Sequence, residues 1–400
     1  MALAIAVACG IAGATALAEP GPHAPSGRRS ISILRATVLQ RLVKLDVRAR
    51  GAGRWRIYVD GRVNGWSRTT TGFARVTAPG SHRIFVALAG KGFVPLRPLV
   101  RSRPVTVTMP RPDAPVVAAA GDIACDPVSP SFNEGRGTAR FCHERATSDR
   151  LVNAGLKAVL AIGDLQYFCG AAAAFMYSYD RSWGRVKTIT HPALGNHEYQ
   201  LSGGEGCAPG AQGYFGYWGS AAGPNPGGYY SFDVGSWHLV SLNSNCNQIG
   251  GCGMGSPEER WLRADLASHP RLCTLAYWHH PPFTSRVAEG GQPQQTTALL
   301  QDLSHAGAEL LLTGHQHNYE RFAPQTPQGA LDDVRGIREF VVGTGGENLL
   351  PFGTPAPNSE VRNSETFGLL ELILRPASYS WQFIPEAGGT FTDGGSTDCH

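Results

Sequence analysis

Two kinds of hydrophobic pattern divide this chain. Over residues 31–110 apolar and polar positions alternate with period two. Trp55, Ile57 and Val59 are interleaved with Arg54, Arg56, Tyr58 and Asp60, and Asp60-Gly61 supplies a tight turn. Phe73–Thr77, His82–Ala87 and Val105–Thr108 repeat the pattern, with Pro79-Gly80-Ser81 separating the first two. Short strands with regular turns predict a small all-β sandwich over 31–110. Past Arg111–Pro115, read as a linker, the apolar positions become continuous runs. Val116–Ala120, Ala158–Ile162, Leu272–Trp278 and Leu310–Leu312 predict buried strands. Ala146–Ala154, Pro257–Ser268 and Thr296–His305 predict helices. The pattern predicts an α/β domain over 115–386, with 387–400 as a C-terminal tail.

Polar residues recur just past the ends of these strands, where α/β sheets place their chemistry. In order they are Gly121-Asp122, Gly163-Asp164-Leu165-Gln166-Tyr167, Gly195-Asn196-His197-Glu198, Trp278-His279-His280-Pro281 and Gly314-His315-Gln316-His317. Taken singly, Gly-Asp is a common turn and a lone His is usually a packing residue. Together the five blocks offer Asp122, Asp164, Tyr167, Asn196, His279, His315 and His317 as donors. Oxygen and nitrogen without thiolate suits iron, zinc, manganese or magnesium. The set exceeds what one four-coordinate ion needs, and divides into two sites if one carboxylate is shared.

Composition narrows the class. Of the 400 residues, 42% are hydrophobic and only 16% charged, which excludes a disordered polyelectrolyte and allows a sizeable core. The net charge of +4 conceals a division. Residues 28–111 hold eighteen Lys or Arg against Asp46 and Asp60, a net of +16, and the rest of the chain is at −12. The basic segment is either a docking module for a polyanion or a solvated face that attracts the acidic remainder.

Residues 1–18 are small, apolar and uncharged, and end in Ala16-Leu17-Ala18. They are expected to be a secretory signal peptide, with 19–30 a linker. No Lys or Arg precedes the apolar run, and an N-terminal anchor helix is the alternative. No other stretch is apolar and long enough to span a membrane. Cys9 lies within this segment and eight cysteines follow it, with no Cys-x-x-Cys pair. An even count behind an export signal predicts at least three disulfides and an extracellular or periplasmic protein. Cys246–Cys252 and Cys125–Cys142 are the expected short-range pairs.

The five blocks, and above all Gly314-His315-Gln316-His317-Asn318-Tyr319-Glu320-Arg321, resemble those of the calcineurin-like metallophosphoesterases, specifically the purple acid phosphatases. The blocks lie between residues 121 and 321. The general superfamily pattern has Asp-x-His in its first block. Here Asp122-Ile123-Ala124 lacks the imidazole, and Tyr167 offers a donor as in the purple acid phosphatases. The resemblance implies a four-layer sandwich of two β-sheets flanked by helices, and a counterpart for the N-terminal sandwich in the larger enzymes. It also implies one metal site of Asp122, Asp164, Tyr167 and His317, and a second of Asp164, Asn196, His279 and His315, with Asp164 bridging. A phenolate and two carboxylates suit Fe(III), and the less charged second site suits a divalent Zn, Fe, Mn or Mg ion.

The expected function is a secreted phosphatase that hydrolyses small phosphate monoesters by in-line attack of a metal-bound hydroxide. His197 is the candidate catalytic group, protonating the leaving oxygen or stabilising the transition state. His280 is the candidate phosphate-binding residue. A phosphodiesterase or nucleotide pyrophosphatase would use the same metals. A reading of another class makes residues 28–111 the functional part, binding an anionic cell-surface polymer. The aromatic, Gly-rich stretch Gly203–Gly228 is expected to pack rather than to line a cleft, and Glu320 with Arg321 to form a structural pair. Phe283–Gln295 holds no histidine, unlike the plant-like enzymes, so leaving-group recognition is expected to differ.

Overall fold

The structure, a computed structural model, describes residues 15–17, 29–39, 41–51, 53–96, 99–109, 114–285 and 293–400. Residues 1–14, Ala18, residues 19–28 and Arg111–Asp113 lie outside the described residues, so most of the expected signal segment and both linkers do too. Thr15–Leu17 forms a short strand antiparallel to Ser30–Leu39. The chain divides into two compact units, one holding the residues up to Arg111 with Ala387–Thr390, the other Pro112–Glu386 with Phe391–His400.

In the first unit, period-two alternation forms two antiparallel four-stranded sheets. Thr15–Leu17, Ser30–Leu39, Leu42–Arg50 and Thr71–Arg75 make one, in that spatial order. Arg62–Ser67, Trp55–Val59, Gly80–Leu88 and Val105–Met109 make the other. One side chain in two turns inward, so Ile31, Ile33, Val43, Leu45, Trp55, Ile57, Ile84, Val86, Val105 and Val107 share a core.

The second unit is built on two mixed sheets. The six-stranded sheet runs Thr190–Ala193, Ala158–Ile162, Val116–Ala120, Gly368–Arg375, Ser378–Pro385, Gly394–Asp398, with the first three parallel. The seven-stranded sheet runs Tyr230–Val234, Trp237–Ser241, Thr274–Tyr277, Leu310–Thr313, Arg338–Val342, Tyr319–Phe322, Ser359–Asn363, with four central parallel strands. One continuous core joins Val117, Leu160, Ile162, Leu370 and Leu372 to Leu239, Leu275, Tyr277, Leu310, Leu312 and Phe340. The alternate residues of the second sheet, Val240, Ala276, Trp278 and Leu311, pack instead with Leu262 of helix Pro257–Ser268 and Leu299, Leu300 and Leu303 of helix Pro293–His305. That two-sided burial explains why these strands read as unbroken apolar runs. Helix Pro257–Ser268 starts where Ser256 accepts a hydrogen bond from the Glu259 amide, with Pro257 in its first turn.

Three expectations need correction. The helix expected at Ala146–Ala154 is only Glu144–Ser148. Side chains compete with its backbone there: Thr147 Oγ1 donates to the Gly345 carbonyl and Ser148 Oγ to that of Arg145, while Asn153 takes a left-handed φ of 57°. Residues 391–400 are not a tail, since Gly394–Asp398 pairs with Ser378–Pro385 and Cys399 is bonded to Cys273. Glu320 and Arg321 do not pair with each other, because neighbours on a strand point to opposite faces. Glu320 accepts from the Ser285 amide and the hydroxyls of Ser285 and Ser359, and Arg321 meets Asp393 and Glu360.

Eight cysteines form four disulfides: Cys125–Cys142, Cys169–Cys207, Cys246–Cys252 and Cys273–Cys399. Both expected short-range pairs are among them. Among the described residues no helix is long and apolar enough to cross a membrane. In the aromatic stretch, Tyr214 and Trp218 are buried in the core, and Tyr214 donates to the Pro192 carbonyl. It packs, as expected.

Candidate metal centre

Strand ends from both sheets converge. Asp122 and Asp164 lie two residues beyond Val116–Ala120 and Ala158–Ile162, and His279 and His315 two beyond Thr274–Tyr277 and Leu310–Thr313. The loops are sewn together by their backbones: the Ile123 amide donates to the Asp164 carbonyl at 2.9 Å, and the Gly314 amide to that of His279 at 2.9 Å. Asp122, Asp164 and His315 hold left-handed φ values of 60°, 48° and 66°. Such strain in non-glycine residues is tolerated where the surroundings over-determine it, commonly at functional sites. Gly195 is needed for close approach, because a Cβ there would sit 2.1 Å from Asp164 Oδ1. At Gly163 a Cβ would meet His279 Nδ1 at 2.6 Å, and its φ is +73°.

The Tyr167 hydroxyl is the meeting point. It stands 3.0 Å from Asp122 Oδ1, 3.2 Å from Asp164 Oδ2 and 3.0 Å from His317 Nε2. One hydroxyl proton serves one partner at a time, so the three contacts cannot all be hydrogen bonds donated by that hydroxyl. His279 Nδ1 is tied to the Ile162 carbonyl at 3.0 Å. Its Nε2 lies 3.1 Å from Asp164 Oδ2 yet makes no hydrogen bond, and Asn196 Oδ1 is also buried without one. Asp122, Asp164 and His279 form one group able to hold a cation, and His279, His280 and His315 form another. Orphaned buried donors beside clustered carboxylates fit metal ions. Asp122, Asp164, Tyr167 and His279 are buried, whereas Asn196, His197, His315 and His317 are half-buried and form the open side.

Charge follows this packing. Burial alone would raise the Asp164 carboxyl, but His279 and His197 beside it hold it well below the usual range. Burial pushes the Tyr167 phenol well above its ordinary value, and Asp122 and Asp164 push it further. Burial works against protonated His279 and His317, but Asp164 and Asp122 respectively raise them to about 9. Burial, with His279 alongside, drives His280 down to about 3 and His315 to about 2.

His197 donates its amide to Asp164 Oδ1 at 2.8 Å, and its Nδ1 pairs with the Phe168 carbonyl at 2.7 Å. The second bond fixes the ring and leaves Nε2, which has the Gln200 side-chain amide at 3.5 Å and Asp164 Oδ2 at 3.8 Å, on the half-buried side of the cluster. His280 Nδ1 meets the Ser244 hydroxyl at 2.8 Å, and its ring centroid is 4.5 Å from that of His315.

Four supporting residues were not singled out from the sequence. Glu198 accepts amide hydrogens from Asp164, Leu165 and Gly195 at 3.1, 2.8 and 2.7 Å, with Gln166 at 3.3 Å, and so clamps two strand-end loops together. Asn348 and Glu347 face His317 Nδ1 and orient its ring. Ser244 does the same for His280. The Gly343-Thr344-Gly345-Gly346 stretch before Glu347 is the available signal for that pair, and Glu198 closes the Gly195-Asn196-His197-Glu198 block; nothing marks Ser244.

One pH prediction follows for the metal-free protein. Burial raises Glu144 and Glu258 to about 8, and burial aided by Asp164 raises Glu198 to about 7. A carboxyl raised by folding stabilises the fold while protonated, and that contribution is lost as pH climbs through the raised value. His279 and His317, raised to about 9, lose theirs over 6.5–9. The depressed imidazoles His191, His280 and His315 act only below 6.5. From pH 6.5 to 9 all these groups act in one direction, so the Tm of chelated protein falls across that window; a flat or rising Tm contradicts the assignment.

A cluster of oxygen and nitrogen donors at the strand ends of two mixed sheets is an arrangement able to hold metal ions. No family model matches the chain. It is 32% identical over 163 residues to purple acid phosphatase 21 of Arabidopsis thaliana, covering 38% of this chain and 36% of that one. Acid phosphatase type 7 of Homo sapiens is 30% identical over 179 residues, 36% of this chain and 40% of that protein. The match thus spans well under half the length of these relatives. Among solved structures, purple acid phosphatase PPD1 from yellow lupin (Lupinus luteus) seeds covers 92% of this chain and 73% of its own, with a TM-score of 0.54 at 16% identity, a likeness of fold. Over 36–38% of its length the chain is similar in sequence to purple acid phosphatases, and it shares the fold of one of them.

Proposed function

We propose that this protein is an exported dinuclear-metal phosphatase acting on phosphate monoesters. The observation that carries the reading is the convergence of Asp122, Asp164 and His317 on the Tyr167 hydroxyl at 3.0–3.2 Å. Asp122, Asp164, Tyr167 and His317 would hold one ion, suited to Fe(III), and Asp164, Asn196, His279 and His315 a divalent Zn, Fe, Mn or Mg ion. When bound, such ions neutralise phosphoryl charge and make water nucleophilic near neutral pH. The protein's part is to orient and to move protons. Asp164 sits between the two donor sets, and Glu198 fixes its loop through the backbone. His197, anchored through Nδ1, keeps Nε2 to protonate the leaving oxygen. His280, held neutral and oriented by Ser244, offers Nε2 to a phosphoryl oxygen. Export is supported by the disulfides and by the apolar residues 1–18.

The alternative, a phosphodiesterase or nucleotide pyrophosphatase, uses the same residues. Turnover of an aryl phosphate monoester is expected to exceed that of the bis-aryl diester by at least about tenfold, a difference of about 1.4 kcal/mol in barrier. Faster diester hydrolysis overturns the proposal in favour of that alternative.

A further inference from the structure

The basic unit carries a built surface that phosphate-ester hydrolysis does not use. In the sheet Arg62–Ser67, Trp55–Val59, Gly80–Leu88, Val105–Met109, Trp55, Ile57, Ile84, Val86, Val105 and Val107 enter the core. Alternation therefore turns Arg56, Tyr58, Arg83 and Phe85 outward with Thr106 and Thr108. Tyr58 and Phe85 are cross-strand partners, and their rings stack at 4.7 Å with 4° between planes. Arg101 comes from the opposite side, bridging Ala87, and its guanidinium lies over the Phe85 ring at 5.4 Å. Arg83, Phe85, Arg101, Ser102, Pro104 and Asp60 line a cavity of about 560 Å³.

Positive charge dominates here, with Asp60 the one carboxylate that lines the cavity. The only acids of residues 28–111 are Asp46 and Asp60. Asp60 is engaged by His82 Nδ1 at 2.6 Å and by the Arg83 amide at 2.8 Å, and Asp46 by the Thr71 hydroxyl at 3.3 Å. No carboxylate partners the Arg56, Arg83 or Arg101 side chain among the described residues. A guanidinium laid on a ring is pre-organised, with its N–H edge left free to grip an anion.

We propose that this sheet face docks an anionic polyol-phosphate chain, a polymer whose repeating charge is a phosphodiester. Charge complementarity selects a polyanion, and the ring geometry selects among polyanions. Single-stranded nucleic acid is held largely by bases stacked on aromatic faces. Phe85 stacks on Tyr58 and lies under Arg101, so at most the outer face of Tyr58 is left to stack a base. What the surface presents is guanidinium edges and the exposed hydroxyls of Thr106 and Thr108, which match phosphate oxygens and polyol hydroxyls.

The test is equilibrium binding of the full-length protein to poly(glycerol phosphate) and to oligo(dT), at about 50 and about 200 mM salt. Poly(glycerol phosphate) is expected to bind more tightly than oligo(dT), and more weakly at the higher salt. Combined Arg56→Gln, Arg83→Gln and Arg101→Gln is expected to weaken binding by about 10- to 100-fold and to leave aryl phosphate hydrolysis unchanged. Lys44→Gln, Arg48→Gln and Arg50→Gln together remove the same charge from the other sheet, and are expected to cost less than about threefold. No binding, tighter oligo(dT) binding, or equal losses from the two triple variants each overturn the proposal. Because hydrolysis is read separately, these outcomes do not touch the phosphatase reading.

Discussion

Asp164→Asn is expected to reduce phosphomonoester turnover by about 10²- to 10⁴-fold while the protein remains folded. The carboxylate is buried and its surroundings are arranged for a negative charge: the His197 amide is 2.8 Å from Oδ1, and Tyr167 and His279 stand 3.2 and 3.1 Å from Oδ2. It is the one side chain shared by both proposed donor sets. Losing one preorganised electrostatic partner of a reaction centre raises the barrier by about 3–4 kcal/mol, which falls within that range of rate loss. Asparagine keeps the shape and an oxygen that accepts from the His197 amide, so circular dichroism changes little, while Tm falls with the lost charge contacts. Metal content falls in step with activity, because neither donor set is then complete. Full activity in a metal-replete Asp164→Asn protein contradicts the shared role.

Glu198→Ala is the counterpart, an effect on stability first and chemistry second. Its carboxylate receives amides from two loops, so truncation leaves several buried donors unsatisfied. The expected loss is about 3–5 kcal/mol, equivalent to a Tm roughly 10 °C lower for a unit of this size. Glu198→Gln is expected to fall between, since all its partners are donors and its NH₂ must face one of them. The loops from Asp164 and Gly195 then lose their mutual register, and kcat falls with Tm in the same variants. A Glu198→Ala protein with wild-type Tm shows that the clamp is dispensable.

The contrast between these two residues shows what the chain discloses. Asp164 was legible because a carboxylate after an apolar run and a glycine is repeated at Asp122, and because Tyr167 follows at a fixed interval. Continuous apolar runs such as Val116–Ala120 announced strands buried on both faces, and the structure returns that strand with the same bounds. Glu198 stands in one of the five blocks, but its role was not legible: it holds backbone amides, and backbone amides leave no mark in a sequence. The same blindness explains the shortened helix at Glu144–Ser148, where the Thr147 hydroxyl reaches out to the Gly345 carbonyl and the Ser148 hydroxyl back to the Arg145 carbonyl of its own turn. It explains Glu320 and Arg321 as well. Adjacent opposite charges suggested a pair, but strand geometry sends them to separate partners, Ser285 and Asp393.

The left-handed backbone at Asp122, Asp164 and His315 ties fold to chemistry. These residues sit where strands of two sheets end, and the strain is sustained by the amide and carbonyl bonds that stitch the loops. Rigid placement by both sheets allows buried carboxylates and imidazoles to remain clustered despite their desolvation. The open side, formed by Asn196, His197, His315 and His317, is where a phosphoryl group would enter.

The central claim is a two-ion centre with a ferric ion on Tyr167, and elemental analysis combined with a visible absorption spectrum of the purified protein tests it most directly. The account predicts two metal ions per chain, one of them iron, and a charge-transfer band that disappears in Tyr167→Phe. An active protein with iron near zero and no visible band would contradict it.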